Sequence, residues 1–463
     1  MKREIQSSHE HRLHSRFILV LTSGCMAIAA GTSHPGLCAD ATVPGEITTP
    51  YPTIIHLAVE WAIQGDDNLN ATCSVSFRES GKEQWREGLP LRRVPAGKGQ
   101  TVETPVSWSN KFSGSLFDLK PDTEYEISLK LQDPDGESFE KMARARTRPV
   151  PRAAPDAPVK KVDPVSLAAE LKAAQPGDIL LLAAGQYGQV VVAQDGAPRK
   201  PIVLRSEAPH QASFDSISMI KRKHVYIEGV SIKNSQKGEP IAGVNMTFAE
   251  DCVVRRCKIE AICGVLAQKS KNNYIADNVL QGAYPWEDPL MGAAGKTSGN
   301  GVKFDGPGNV VCFNTVTGYR DCLSHIDNDL VCDDMYNNDV SQGLDDGIEA
   351  DYARGNCRIL RNRLTNCFIG LSSQPGLGGP TYFIRNVMYN ITYMPFKLYR
   401  FSQGDVCLHN TVVKVGDGMS SKDDRPFDHA YFRNNLFIGG AGKAKWGNQG
   451  YNNASGQGIA RAA

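Results

Sequence analysis

The fold is decided by the segment Cys312-Phe-Asn314-Thr-Val316 and by four later segments that repeat its pattern. They are Tyr336-Asn-Asn338-Asp-Val340, Leu360-Arg-Asn362-Arg-Leu364, Ile384-Arg-Asn386-Val-Met388 and Leu408-His-Asn410-Thr-Val412. The interval from each central Asn to the next is the same throughout the series. A fixed period of this kind indicates a solenoid, in which every repeat forms one coil.

Further copies extend the pattern at both ends. Arg433-Asn434-Asn435-Leu-Phe437 follows Asn410, where the strict period selects Asn434 and the sequence context selects Asn435. The interval from Asn278 to Asn314 is longer than the others, so that coil carries about twelve extra residues. An Asn at the same turn of each coil can join a hydrogen-bonded ladder and tolerates tight turns.

The apolar positions of the repeats are mostly Val, Ile, Phe and Cys. Leucine-rich repeats also contain a periodic Asn, but they require a scaffold of leucines. The sequence therefore predicts an all-β fold, a right-handed parallel β-helix over 164–463 with about 24 residues per coil. The stretch from Ser166 to Ala174 has helical periodicity and is expected to cap the first coil.

The N-terminal region has the features of an export signal. A basic stretch precedes the apolar run from Phe17 to Ala30, and Ala39-Asp40-Ala41 offers a cleavage site with small residues. We expect 1–41 to be a signal peptide and the mature protein to be secreted or periplasmic. No later segment is apolar and long enough to predict a membrane span.

Residues 42–148 alternate between apolar and polar positions, as in a small antiparallel sandwich. Leu119-Lys-Pro121-Asp-Thr123-Glu-Tyr125 has the pattern of a tyrosine corner. Together with Trp61, this region resembles a fibronectin type III module. The proline-rich stretch 149–163 is expected to be an extended linker. Because the module has no acid–base pair, we expect it to be dispensable for catalysis.

The composition excludes some partners. The chain has 51 basic and 50 acidic residues and a net charge of +1, which argues against nucleic-acid binding. We expect a monomer.

Most of the twelve cysteines fall inside the repeats, and no Cys-x-x-Cys occurs. Buried, unpaired cysteines are therefore favoured over a disulfide framework, although the latter stays open.

The start of the solenoid resembles a known group. Gln175-Pro-Gly-Asp178-Ile-Leu-Leu-Leu182, Ala184-Gly-Gln-Tyr187 and Lys200-Pro-Ile-Val-Leu204 are similar to the opening of pectate-lyase-like β-helix proteins. The resemblance covers about 164–440. It implies a polysaccharide substrate, because the group includes polysaccharide lyases, glycoside hydrolases, uronan epimerases and non-enzymatic adhesins.

The period also allows columns of side chains to be predicted on the outer face. Moving back from Lys397 by one period at a time gives Ser373, Glu349 and His325. By the same phase, Asp345 and Asp321 point outward and Asp346 points inward. The predicted catalytic residues are His325, Glu349 and Lys397; the substrate-binding residues are Asp327, Arg354, Tyr399, Arg400 and Trp286; the metal ligands are Asp321, Asp345, Glu349 and Asp351.

These residue types suit the β-elimination of a uronate-containing polysaccharide. That reaction needs a cation to neutralise the substrate carboxylate and a base to remove the adjacent proton. Glu349-Ala-Asp351 resembles the acidic pair that binds calcium in the chondroitinase B and alginate lyase branch. The Lys expected shortly after this pair is absent, since position 356 is Asn. Ca²⁺ is therefore an expected cofactor, and Lys397 a candidate substitute base.

Three alternatives to a lyase remain. Paired carboxylates such as Asp345 and Asp346 could serve a glycoside hydrolase. Asp-Asp-Gly-Ile resembles the paired-Asp motif of polygalacturonases, although their other signatures are absent. The remaining alternatives are an epimerase and a non-catalytic glycan-binding surface protein.

Overall fold

The computed structural model describes residues 39–102, 104–234, 242–292, 297–325, 330–419, 427–440 and 459–461. Nearly all of the predicted signal peptide therefore lies outside the described residues. Within the described part of the chain, no helix is long and apolar enough to cross a membrane.

The N-terminal module consists of two four-stranded antiparallel sheets and a hairpin. Its described strands are β1 (Val43–Thr48), β2 (Leu57–Gln64), β3 (Thr72–Glu79), β4 (Arg86–Glu87), β5 (Arg92–Val94), β6 (Gly97–Gln100), β7 (Pro105–Trp108), β8 (Lys111–Leu116), β9 (Glu124–Gln132) and β10 (Phe139–Arg146). The sheets have the orders β1-β2-β8-β5 and β10-β9-β3-β4, and β6 pairs with β7.

Alternation along the strands forms the core of this module. Leu57, Val59 and Trp61 alternate along β2 and are all buried. The hydroxyl of Tyr125 accepts a hydrogen bond from the backbone N–H of Lys120 at 2.9 Å, which is the bond that a tyrosine corner predicts. The assignment to the fibronectin type III family stays a prediction.

The rest of the chain confirms the predicted parallel β-helix, with about 11 turns of about 24 residues. Its coils build three sheets. In the described residues, the first sheet contains β11 (Val159–Val162), β12 (Ile179–Leu182), β15 (Ile202–Ser206), β18 (Val225–Glu228), β21 (Val253–Arg255), β24 (Tyr274–Ala276), β27 (Val310–Cys312), β30 (Asp334–Tyr336), β33 (Cys357–Leu360), β36 (Thr381–Ile384), β39 (Asp405–Leu408) and β41 (Tyr431–Arg433).

The second sheet contains β13 (Gly185–Gln186), β16 (Ala212–Phe214), β19 (Ser231–Asn234), β22 (Lys258–Ala261), β25 (Val279–Gln281), β28 (Thr315–Thr317), β31 (Asp339–Ser341), β34 (Arg363–Thr365), β37 (Val387–Tyr389), β40 (Thr411–Val415), β42 (Leu436–Gly440) and β43 (Ile459–Arg461). The last strand, β43, pairs antiparallel with β42.

The third sheet contains β14 (Gln189–Val191), β17 (Ser216–Ser218), β20 (Ala242–Asn245), β23 (Cys263–Ala267), β26 (Asn300–Phe304), β29 (Asp321–His325), β32 (Asp346–Glu349), β35 (Ile369–Ser373) and β38 (Phe396–Leu398). The predicted capping helix is α1 (Leu167–Ala173), which buries Leu167 and Leu171 against the first coil. A short 3₁₀ helix spans Asp288–Leu290.

The predicted asparagine ladder is present between the first and second sheets. The Asn338 amide donates to the carbonyl of Val311 and to Oδ1 of Asn362, both at 3.0 Å. Its own Oδ1 accepts from the backbone N–H and the amide of Asn314. The ladder ends on Asn435, so the sequence context and not the strict period identified the last member.

The coil interior is filled by aliphatic side chains, aromatic rings and cysteines. All ten cysteines of the described residues are buried and unpaired. The interpretation as small buried hydrophobic residues is therefore confirmed for this part of the chain.

The N-terminal module packs against the first sheet through buried polar contacts. Asp334 accepts hydrogen bonds from Arg358 Nε at 2.5 Å and from His56 Nδ1 at 2.9 Å, and all three side chains are fully buried. The backbone N–H of Ser115 donates to the hydroxyl of Tyr382 at 3.2 Å. These contacts attach the module to the solenoid, while its dispensability for catalysis stays a prediction.

The end of the predicted linker also belongs to the solenoid. Val159–Val162 pairs in parallel with Ile179–Leu182 and forms the first strand of the first sheet. A side chain that precedes it, Arg148, donates to the backbone carbonyls of Asn272 and Gly308. The chain between the module and the solenoid is thus attached to the coils at both ends.

Candidate active site

The outer face of the third sheet carries a cluster of acidic side chains and one lysine. Leu323, Ile348, Leu371 and Phe396 occupy equivalent positions in four successive coils and face the core. The residue that follows each of them points outward. This outer column contains Ser324, Glu349, Ser372 and Lys397.

The column differs from the predicted one because the third sheet does not keep the strict period of the ladder. Ile348, the partner of Leu323, lies one residue beyond that period, and Leu371, the partner of Ile348, lies one residue short of it. The ladder stays in phase while the turns before the third sheet vary in length. Glu349 and Lys397 are therefore placed as predicted, but Ser373 and His325 are each displaced by one residue.

His325 is a correction to the predicted site. Its ring lies in the interior against Phe304, with a centroid distance of 4.8 Å, and Nε2 lies 3.2 Å from Oδ2 of Asp333. Burial lowers the pKa of His325 to about 3, so the ring is neutral. Because it is fully buried inside the coil, it does not contribute to the outer face.

Asp346 is a second correction, since the alternating pattern predicted an inward side chain. A Cβ on the next residue, Gly347, would lie 2.7 Å from the core side chain of Leu364. Gly347 and Ile348 thus both face the core, and the alternation is broken at the start of β32. Asp346 consequently projects outward, where Oδ2 accepts from Lys397 Nζ at 2.6 Å.

Together with Asp346, three other carboxyl groups form a cluster at this ion pair, and all four are nearly inaccessible to solvent. Asp321, Asp346 and Glu349 each offer an oxygen within 4.8 Å of the others. Ser324 donates to Glu349 at 2.7 Å, and Ser372 donates to the fourth carboxylate, Asp351, at 2.5 Å. The predicted ligands Asp321, Glu349 and Asp351 are thus brought together.

Asp345 lies at the edge of this cluster. Its carboxylate pairs with Arg320 Nη2 at 3.3 Å. The sequence wrongly predicted an inward Asp346, because the break in alternation at Gly347 is not visible in the pattern of residue types.

The cluster carries more negative than positive charge. Burial, together with the neighbouring Asp346 and Asp345, raises the pKa of Asp321 to about 7. Burial likewise raises the pKa values of Glu349 and Asp351, with Lys397 opposing the shift. Such carboxyl groups hold protons near neutral pH unless another positive charge is bound.

Lys397 is held in its charged form. Burial alone would lower its pKa, but Asp346, Asp351 and Glu349 together raise the pKa above its usual value. In this arrangement Lys397 is a hydrogen-bond donor and a fixed positive charge. It can accept a proton only when the charge of Asp346 is offset.

The carboxylate cluster fits a calcium ion by its donor atoms. Two oxygens bound to one calcium ion at 2.3–2.6 Å lie at most about 5 Å apart, which accommodates Asp321, Asp346 and Glu349. Oδ1 of Asp346 is buried and has no hydrogen-bond partner among the described residues. The hard oxygen donors and this unpaired atom suit Ca²⁺, whereas no nitrogen or sulfur ligand from the described chain joins the group.

An aromatic wall flanks the cluster on the side where the strands begin. Phe368, Ile369 and Met394 pack with Trp286 and Tyr393. Ile369 is the neighbour of Asp346 in the next coil, so the wall adjoins the acids directly. The extra residues of the coil between Asn278 and Asn314 thus place Trp286 beside the cluster.

The other predicted substrate-binding residues lie at the far end of the strands. Arg400 Nη1 is 3.4 Å from the hydroxyl of Tyr352, and its guanidinium lies 5.6 Å from the ring centre of Tyr399. Arg354 is half-buried in the turn after β32. Asp327 lies outside the described residues.

Sequence reasoning did not identify Ser324 and Ser372, which hold the carboxylates in place. Ser324 lies in β29 and Ser372 in β35, and nothing in the sequence separates them from neighbours such as Ser373. The actual register of the third sheet would have identified them, because the interval from Leu323 to Ile348 is one residue longer than the ladder period and the interval from Ile348 to Leu371 is one residue shorter.

Comparisons with known proteins were made at three levels. No protein-family model matches the chain, and no curated protein sequence does. Among solved structures, a family 28 exopolygalacturonase from Yersinia enterocolitica matches with a TM-score of 0.39 and 12% identity, covering 87% of this chain and 97% of the other.

Two more structures are similar. The pectate lyase Pel9A has a TM-score of 0.38 and 14% identity over 60% of this chain and 80% of its own. A double mutant of the periplasmic alginate epimerase AlgG has a TM-score of 0.28 and 12% identity over 59% of this chain and 66% of its own. At such low TM-scores, the chemistry of this chain has to be argued from its own residues.

Proposed function

We propose that this protein is an enzyme that cleaves an acidic polysaccharide at the carboxylate cluster, by β-elimination. The observation that supports it is the stacking of Asp321, Asp346, Glu349 and Asp351 around Lys397 on one outer face. A surface that serves folding alone seldom buries carboxylates this close to one another, because each ionised carboxylate makes it more costly to ionise the others. Trp286 lies beside the cluster and offers a surface for a sugar ring.

The residues of the cluster have three proposed roles: accepting the proton, positioning the carboxylates and binding calcium. Lys397 lies at the centre of the acids and is the candidate base once Asp346 is neutralised. Ser324 and Ser372 position Glu349 and Asp351 through hydrogen bonds. A calcium ion bound to Asp321, Asp346 and Glu349 would supply positive charge that acidifies the proton next to the substrate carboxylate.

A glycoside hydrolase is the second candidate, and one observation favours it. The pKa of Asp321 is raised to about 7 by burial and its acidic neighbours, as required of a general acid. Its neighbours Asp346 and Glu349 offer oxygens within 4.8 Å, which is closer to the separation of about 5–5.5 Å in retaining enzymes than to inverting geometry.

The test is an activity screen of the purified protein on uronate-containing and neutral polysaccharides, with and without a calcium chelator. β-Elimination yields a new double bond, and its products absorb ultraviolet light. Hydrolysis yields reducing ends without that absorbance. We expect ultraviolet absorbance from an acidic polysaccharide and its loss on chelation.

The variant Glu349→Gln connects the activity to the cluster. It should lower kcat/KM by a factor of about 100, because it removes one carboxylate from the proposed calcium site. Glu260→Gln is the matched control, because Glu260 lies on the second sheet and pairs with Lys258 and Lys233. Equal losses in both variants, or full activity in Glu349→Gln, would move the reaction to another site.

A further inference from the structure

A pocket of about 500 Å³ lies where the N-terminal module meets the solenoid. The hairpin formed by β6 and β7 contributes Lys98, Gln100 and Trp108. The solenoid contributes Tyr352, Arg400 and Phe401. A volume of this size is within the range of ligand sites.

Glycines in the solenoid let the hairpin approach closely. Gly378 has a φ of +91°, and a Cβ there would lie 2.8 Å from the indole of Trp108. Gly99 meets Leu377 in the same way, at 2.6 Å. The glycine-rich turn after β35 is therefore a docking surface for the hairpin, and this contact fixes one wall of the pocket.

The lining of the pocket is cationic and aromatic. Lys98 and Arg400 are its charged residues, and none of the described residues that line it is acidic. Phe401 is 59% exposed, and the Trp108 ring is half-buried. Cationic groups bind carboxylate or sulfate, and aromatic faces stack on sugar rings.

The pocket is continuous with the acidic cluster along the chain. Asp351 precedes Tyr352, and Lys397 lies three residues before Arg400, whose guanidinium is 3.4 Å from the Tyr352 hydroxyl. The aromatic wall with Trp286 flanks the opposite side of the acids. The acids therefore lie between two surfaces suited to sugars.

We infer that this pocket is a binding subsite for an anionic sugar residue of the same polysaccharide chain, and that the N-terminal module forms half of it. The inference rests on the proposed function. An anionic sugar presents its carboxylate or sulfate to Arg400 and Lys98 and its ring to Phe401 or Trp108. The module thus takes part in substrate recognition.

The experiment measures binding of acidic oligosaccharides to the full chain by calorimetry. Uronate oligosaccharides of increasing length and sulfated ones of matched length are compared. In the wild type, affinity should rise once an oligosaccharide spans both the cluster and the pocket. Phe401→Ala and Lys98→Ala should each weaken binding of the long oligosaccharides about tenfold and leave the short ones unchanged.

Both variants change exposed side chains, so folding should be preserved, whereas Trp108→Ala removes packing against Gly378 as well. Phe248→Ala is the matched control, since Phe248 is also exposed and lies on a distant coil. Weakened binding of either uronate or sulfated oligosaccharides supports the subsite and identifies the anionic group.

The outcomes separate the two proposals. If the wild type cleaves an acidic polysaccharide and Phe401→Ala and Lys98→Ala bind long oligosaccharides as tightly as it does, the subsite is wrong and the proposed function stands. If the wild type neither binds nor cleaves any acidic polysaccharide, both are wrong.

Discussion

At the scale of single residues, the balance of charge around Lys397 is the feature on which the site depends. Its side chain is 11% exposed and carries the one positive charge in direct contact with Asp346 in the described structure. Removing one partner of a buried ion pair leaves the other charge uncompensated, which is more costly than replacing both. Stability and the proposed function therefore depend on the same side chain.

We expect Lys397→Met to lower the free energy of unfolding by about 3–5 kcal/mol at neutral pH. The carboxyl pKa values are raised in the folded state, so the folded protein holds protons that the unfolded chain releases as pH rises. The loss should consequently be larger near pH 8 than near pH 5. Urea unfolding at the two pH values measures it.

The double variant Lys397→Met/Asp346→Asn provides the control for this prediction. Removing the carboxylate together with its partner should restore about half of the lost stability. Equal stability of Lys397→Met and the wild type would contradict the assigned ion pair.

The residue scale also shows the limit of sequence reasoning. Glu349 and Lys397 were placed correctly because the two intervals between their coils, one shorter and one longer than the period, compensate. His325 was misplaced because the interval from Leu323 to Ile348 is one residue longer than the period. No shorter interval between the coils of His325 and Glu349 compensates for it. A side chain that is one residue out of phase moves from the outer face to the core, so an error of one residue reverses its role.

At the scale of elements, the ladder is the most regular feature because each of its amides is buried and fully bonded. The Asn338 side chain takes part in four hydrogen bonds, to Asn314, Val311 and Asn362. Displacing an asparagine from this turn would leave these groups buried without hydrogen-bond partners. The position of the ladder asparagine within each coil is therefore fixed. The turns before the third sheet have no such constraint. The sequence therefore predicted the ladder accurately and the third sheet less well.

Asn338→Ala should destabilise the protein by about 3 kcal/mol or more, because it removes the acceptor of the Asn314 backbone N–H and amide and the donor to the Val311 carbonyl and Asn362 Oδ1 in the interior. Asn70→Ala is the same substitution at an exposed site with one carboxylate partner, Asp135, and should cost less than about 1 kcal/mol. Chemical unfolding of both variants checks the difference, and similar losses would argue against a ladder.

At the scale of the whole molecule, the buried contacts of Asp334 join the module to the solenoid. Asp334→Ala would leave Arg358 buried without its carboxylate, and we expect a loss of about 3–5 kcal/mol. Because the contact links the two parts, calorimetry of the full chain should show one transition that moves to lower temperature as a whole. Two separate transitions, with one unaffected, would contradict the coupling.

The same interface should make stability depend on pH. Burial lowers the pKa of His56, although Asp334 opposes the shift, while Arg358 lowers it further and Asp118 raises it. The unfolded chain binds a proton at this residue below about pH 6.5, which the folded protein excludes. The free energy of unfolding should therefore fall as pH decreases from about 6.5.

The variant His56→Gln should show a shallower decrease between about pH 7.5 and 5.5 in urea unfolding. Some dependence should remain, because the pKa of His325 is also lowered by burial. His429→Gln, at an exposed position, should keep the wild-type slope. A wild-type slope in His56→Gln would show that this residue is not a determinant of the pH dependence.

The long coil between Asn278 and Asn314 has a consequence for how such a protein can change during evolution. These two residues bond at 3.0 Å, the same distance that joins Asn338 to Asn362, although the chain between them is longer. The added chain leaves between β25 and β26 and returns without disturbing the core. Extra residues between β25 and β26 thus leave the ladder unchanged, and they lie next to the carboxylates. Under the proposed function, lengthening this one loop would change the surface that meets the polysaccharide while the ladder keeps its hydrogen bonds.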